Sequence, residues 1–262
     1  MRLTDALRSA RSRGVPTVAP YLLVDRARRR ALPGTVRALR AAGATALELG
    51  FPFSDPIADG PVLAAAHQGA LDHGTDWGDL LRALRTTSPI LPSVVMTYAN
   101  PLLHRGLDRS NSELASAGAS GLIVPDLSLE ESAPFRAAAR RHHLSLVLLA
   151  APGISSERVG RIARASRGFV YLVSHYGTTG GVARGSAVDL RPLVAAARSA
   201  APGTPVLVGF GVRDRPSARR ALATGADGVI VGTALEEQLR RDGRPESVHR
   251  FLVDIAIARA PD

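Results

Sequence analysis

Three carboxylates fall close together in the segment ELGFPFSDPIADGP (48–61): Glu48, Asp55 and Asp59. Glu48 sits in a short apolar run, ALELG (46–50), that reads as a buried strand. A buried strand rarely carries an unpaired Glu, so Glu48 reads as a functional group. Asp55 and Asp59 lie in the loop that follows, which Pro52, Pro56 and Pro61 stiffen. Two carboxylates at one site divide acid and base roles when their surroundings separate their pKa values. A Glu in an apolar mouth is the one whose pKa rises. The plainer reading of Asp55 and Asp59 is that they cap turns or the next helix.

A second constellation points to an anion. The Gly-rich segments SHYGTTGG (174–181), VGFGVRD (208–214) and IVGTALEE (230–237) each follow an apolar run. Glycines let backbone N–H groups approach an anion, and a following helix N-terminus favours negative charge. Other chemistries are poorly supplied. No GxSxG elbow, Walker A lysine or spaced His pair of a metal site is present. His142 and His143 are adjacent on a helix and cannot converge on one ion. His67 and His73 read as helix-surface residues.

The elements that must position these groups are legible as eight apolar runs: 16–23, 46–50, 93–98, 121–126, 145–150, 168–174, 205–211 and 228–233. They are continuous rather than alternating, as in strands buried on both faces of a parallel sheet. Ala-, Leu- and Arg-rich helical stretches separate them, for example GTVRALRAAGA and DRPSARRALATGA. A weak repeat, AAGATALEL (41–49), SAGASGLIV (116–124) and ATGADGVIV (223–231), places a Gly C-cap between helix and strand. The pattern predicts an α/β fold: one (β/α)8 TIM barrel over residues 1–262, opened by a short N-terminal helix. An open doubly wound sheet is the alternative. In a barrel, chemistry sits at the C-terminal ends of the strands. Glu48 would then stand on the rigid barrel, and the Pro-rich loop would carry Asp59 over the mouth as a lid.

Composition narrows the partners. The net charge is +10, and all 33 basic residues are Arg. The arginines are scattered along helices and aromatics are only 4%, so a nucleic-acid surface is poorly supported, whereas a phosphorylated substrate is favoured. The absence of Lys excludes Schiff-base aldolase chemistry. The absence of Cys excludes disulfides, thiolate metal sites and cysteine catalysis, and suits the cytosol. No run is long and apolar enough for a membrane span, and the N-terminal segment lacks the apolar core of a secretory signal.

The residues reached so far resemble those of the tryptophan synthase α subunit. ELGFPFSDPIADGP resembles that family's signature, and MTYANPL (96–102), GLIVPDLSLEES (121–132), GFVYLVSHYGTTG (168–180), GFGV (209–212) and ADGVIVGTA (226–234) follow in the family's order. The resemblance implies cleavage of indole-3-glycerol phosphate to indole and glyceraldehyde 3-phosphate, without metal or cofactor. By position, Glu48 would protonate C3 of the indole, Asp59 would stabilise positive charge at the indole N–H, and Tyr171 would lie beside that aspartate. Tyr21, Met96 and Phe210 would surround the ring. Gly180, Gly211, Gly232 and Thr233 would cradle the phosphate, and Thr179 would help close the site. The resemblance further implies a PLP-dependent β subunit as partner, facing Pro52 and Asp55.

The chain departs from the family pattern in several places. LLVDRARRR replaces a Gly-Asp-Pro turn after the first strand. Tyr21 replaces a Phe, Ser128 a Pro, Thr233 a Ser, and SHY the usual Ser-Arg-x. These changes leave the proposed catalytic groups in place but touch the partner side. A stand-alone lyase releasing free indole is therefore a second reading. A catalytically idle activator of β and another enzyme on a related phosphate barrel are further ones.

Overall fold

The computed structural model describes residues 3–174 and 189–256. Eight parallel strands close into a barrel in sequence order. They are β1 (Thr17–Leu23), β2 (Leu47–Gly50), β3 (Ser93–Met96), β4 (Ala119–Ile123), β5 (Ser145–Ala150), β6 (Val170–Val173), β7 (Val206–Gly209) and β8 (Gly228–Val231). Each lies within or overlaps one of the eight apolar runs. Closure is made by β1 pairing with β8, Thr17 opposite Gly228 and Pro20 opposite Val231.

Strand alternation sorts the apolar residues into two cores. Val18 and Leu22 of β1, Leu47 and Leu49 of β2, and Val170 and Leu172 of β6 face the surrounding helices. Ala19, Tyr21 and Leu23 of β1, Val94 and Met96 of β3, and Phe169 and Tyr171 around β6 fill the barrel interior. Glu48 lies between outward-facing Leu47 and Leu49, so period 2 turns its side chain inward. Its register partner across the sheet is Tyr21.

The two ends of the barrel differ. At the strand N-termini the helix Leu3–Ser12 plugs the interior with Leu3 and Leu7, each 1% exposed. The short N-terminal helix expected from the sequence is therefore a stopper for the core. At the other end the helix Pro61–Asp72 lays Leu63, Ala66 and Ala70 across the mouth. Pro61 at its first position suits a helix start that needs no backbone N–H there. Among the described residues no helix is long and apolar enough to cross a membrane.

Candidate active site

Glu48 and Asp59 come together at the strand C-terminal end, each buried. They line one pocket with Tyr21, Met96, Tyr171 and Phe210. Burial first, and the Asp59 charge second, push the Glu48 carboxyl up to about 8. Glu48 is therefore a protonated acid at neutral pH. One oxygen of each carboxylate, Glu48 Oε2 and Asp59 Oδ1, is buried without a hydrogen-bond partner. Such atoms are rare in folded interiors and are characteristic of groups kept for a ligand.

Tyr98 holds the lid. Its hydroxyl donates to Asp59 Oδ2 at 2.8 Å and accepts the Ala58 backbone N–H at 3.0 Å. Its ring stacks on Phe53 at 5.1 Å. One side chain thus fixes the loop backbone, the loop aromatic and the carboxylate. Nothing in the local pattern of MTYANPL marks Tyr98 for this role. Tyr98 makes the hydrogen bond to Asp59, while Tyr171 lines the same pocket close enough to feel the Asp59 charge.

Tyr171 and Tyr21 are buried walls of the pocket. Burial raises the pKa of both phenols well above the usual value; the two carboxylates add to this, Glu48 more strongly at Tyr171 and Asp59 more strongly at Tyr21. Both phenols therefore stay neutral. Each lies over a strand-end glycine: a Cβ on Gly50 would collide with the Tyr21 phenol, and one on Gly209 with the Tyr171 phenol. Glycine at these two positions is required by the space the rings occupy. Phe210 adopts φ +58°, a left-handed conformation that costs a bulky residue about 1–2 kcal/mol. That conformation sets its ring 5.7 Å from Tyr171.

On the side of the pocket formed after β7 and β8 lie Gly211, Gly232 and Thr233, with Gly232 the N-cap of the helix Thr233–Arg241. This geometry suits a phosphate. Thr179 and Gly180 lie outside the described residues. Arg213, which sequence reasoning missed, also lines this end and pairs with Glu237 at 2.7 Å. Its signal was the basic residue directly after the GFGV turn. A larger cleft of about 1200 Å³ lies at the opposite end of the barrel, beside the helix Leu3–Ser12. It holds neither Glu48 nor Asp59 and faces away from the strand ends where barrel chemistry resides.

His67 corrects the sequence reading. It is not on a helix surface but 2% exposed beneath the lid. The helix Pro61–Asp72 covers the barrel, so the stripe Leu63, Ala66, His67 and Ala70 is its buried face. His73 is half exposed and meets Asp25 at 2.9 Å, as a surface residue can. Pro52, expected on the partner side, is buried, while Asp55 is exposed. The departures after β1 are absorbed internally. Arg28 makes a two-pronged pair with buried Glu236 at 2.8 and 2.9 Å, and Arg26 bonds Asp79 at 2.8 Å. Ser128 bonds Glu131 at 2.7 Å.

Comparison with known proteins places this geometry. Residues 7–256 match the family model described as tryptophan synthase alpha chain. The tryptophan synthase alpha chain of Chloroflexus aggregans is 41% identical over 94% of this chain and 92% of its own length. A Mycobacterium tuberculosis tryptophan synthase structure superposes with TM-score 0.88 at 36% identity, covering 100% of this chain and 99% of that one. A structure of the Pyrococcus furiosus tryptophan synthase α2β2 complex superposes with TM-score 0.79 at 31% identity, covering 91% and 97%. With nearly the whole chain matched and the catalytic face built as described, the chain belongs to the tryptophan synthase alpha chain family.

Proposed function

We propose that this chain, as one barrel domain, cleaves indole-3-glycerol phosphate to indole and glyceraldehyde 3-phosphate, with Glu48 as acid–base and Asp59 as the charge-stabilising partner. The observation that carries this assignment of roles is the buried pair: one carboxyl raised to about 8 beside a second carboxylate. The reaction needs a proton on C3 of the indole before the carbon–carbon bond breaks. Protonated Glu48 supplies it, and the ring nitrogen becomes an iminium N–H. Asp59 stabilises that positive charge through its free Oδ1. The hydroxyl on the carbon attached to C3 then loses its proton to the Glu48 carboxylate. Its C–O becomes C=O, the C3–C bond breaks, and the electron pair restores the indole. Protons balance, and Glu48 returns to its starting state.

Tyr21, Met96, Tyr171 and Phe210 supply the apolar walls for the ring. Gly211, Gly232 and Thr233 receive the phosphate, with Thr179 and Gly180 assigned there by family position. The test is product formation: the purified chain, with a β subunit present, should release indole and glyceraldehyde 3-phosphate in equal amounts. No release under that condition would refute the reading. Arg213 adds a positive charge at the phosphate end. Arg213→Ala should raise KM about 3–10-fold with kcat nearly unchanged, the signature of lost uniform binding. A fall in kcat at constant KM would contradict that role.

We further place the chain in the cytoplasm, as an α subunit working with a PLP-dependent β chain. The large apolar side chains exposed among the described residues are Ile57, at 68%, and Leu103, at 55%. Ile57 lies on the lid after β2 and Leu103 on the helix Ala99–Arg105 after β3, so both belong to the catalytic face. Exposed apolar residues on a functional face suit a partner that covers them. The relative's α2β2 complex supplies the precedent for that partner. Ile57→Asp should weaken β binding at least about tenfold, as a charge in a desolvated contact does. Its cleavage rate without β should stay within about twofold of wild type. Unaltered binding by titration calorimetry would remove Ile57 from the interface.

A further inference from the structure

His67 has no part in the proton transfers above, yet both its ring nitrogens are placed at the site. Nδ1 lies 3.0 Å from the Phe53 backbone nitrogen. Nε2 lies 3.4 Å from Asp59 Oδ2 and 3.4 Å from the Tyr21 hydroxyl. The Tyr98 ring meets it edge-on at 6.5 Å. These neighbours come from β1, the lid and the loop after β3.

The chemistry of the partners fixes the proton. A backbone N–H only donates, so Nδ1 must offer its lone pair to Phe53. The ring hydrogen then sits on Nε2, toward Asp59 and Tyr21. An Nδ1–H ring would set donor against donor at Phe53 and turn a lone pair toward the Asp59 carboxylate. A doubly protonated ring would also lose the Phe53 bond. Only the neutral Nε2–H form serves both contacts. The Nε2 contacts are long, as catalytic hydrogen bonds often are before the substrate is bound.

We propose that His67 is a positioning residue that ties the lid backbone at Phe53 to the Asp59 carboxylate. Its Nδ1 pins the loop, and its Nε2–H steadies Asp59 Oδ2 so that Oδ1 stays turned to the ring nitrogen of the substrate. Tyr98 holds the same oxygen from the other side, at 2.8 Å. Asp59 is thus gripped by a phenol from the loop after β3 and an imidazole on the covering helix. The role rests on the cleavage reading given above.

Two measurements test it. In histidine-labelled wild-type protein at pH 8, the ring 15N signals lost in His67→Phe should show a protonated Nε2 and an acceptor Nδ1. A protonated Nδ1 would overturn the tether. In steady-state kinetics, His67→Phe keeps the ring volume and removes both nitrogens. It should lower kcat about 10–100-fold with KM within about threefold, the range for a misplaced catalytic group. His67→Gln restores a donor near the Nε2 position and should recover part of that loss. An unchanged kcat in His67→Phe, or equal losses in both variants, would overturn the positioning role. If the wild-type chain released no indole, the cleavage reading would fall on its own, and the ring signals would still decide the tether.

Discussion

Glu48→Gln is expected to lower kcat by at least about a thousandfold, since it removes the only proposed proton donor and acceptor from a two-proton sequence. Affinity for a non-cleavable indolyl-alkyl phosphate should stay within a few-fold. Gln has the same shape and leaves the apolar walls and the phosphate end intact. The same variant carries a stability signature. In the native state the Glu48 carboxyl ionises near 8, against 4.5 for an ordinary glutamate. The folded chain therefore binds the proton more tightly than the unfolded chain. Below the unfolded value both states are protonated and no penalty exists. As pH rises, the unfolded state ionises first, and the penalty grows until the native pKa is passed. Gln carries no such penalty. Glu48→Gln should match wild type in stability near pH 4 and exceed it at pH 7 by an amount on the order of 1–3 kcal/mol. Thermal melts at the two pH values read this directly. A variant less stable than wild type at pH 7 would mean that Glu48 is not held as a buried acid.

Asp59→Asn should cost about a hundredfold to a thousandfold in kcat, the range for removing one preorganised electrostatic group. The amide still accepts the Tyr98 hydroxyl, so the lid should remain in place. What disappears is the negative charge that meets the iminium N–H. A second effect follows from the pair. The Asp59 charge is the smaller of the two causes that raise Glu48. Its removal should lower the Glu48 pKa partway, leaving burial to hold most of the shift. The alkaline limb of kcat/KM should therefore move to lower pH in Asp59→Asn. Wild-type turnover in this variant would reduce Asp59 to a turn residue.

The strands were legible because a strand buried on both faces leaves an uninterrupted apolar run, and Gly or Pro marks its ends. Glu48 was legible for the same reason: an acid inside such a run has no surface to escape to. Tyr98 was harder. It is 39 residues from Asp59 in the chain, and only closure of the barrel brings MTYANPL over the lid. His67 reads as a surface residue from its polarity, although its position carries a signal. Leu63, Ala66 and Ala70 repeat at helical spacing, and His67 falls on their stripe. Polarity alone places it outside; the helix period places it inside. Arg26 and Arg28 replace a turn sequence with ion pairs to Asp79 and Glu236. Which acids they meet depends on elements up to 208 residues away, and no local pattern contains that.

Whether Glu48 acts as a buried, protonated acid is read from the pH dependence of kcat/KM, because that ratio reports the free enzyme. The substrate phosphate titrates near pH 6 and sets its own limb on the acid side. The alkaline limb belongs to Glu48. The predicted result is activity that holds through neutral pH and falls tenfold per unit above about 8, as a single proton is lost. Activity that instead rises through pH 4–5 and stays level to pH 10 would show that the ionised carboxylate is the active form, and would refute the acid role of Glu48.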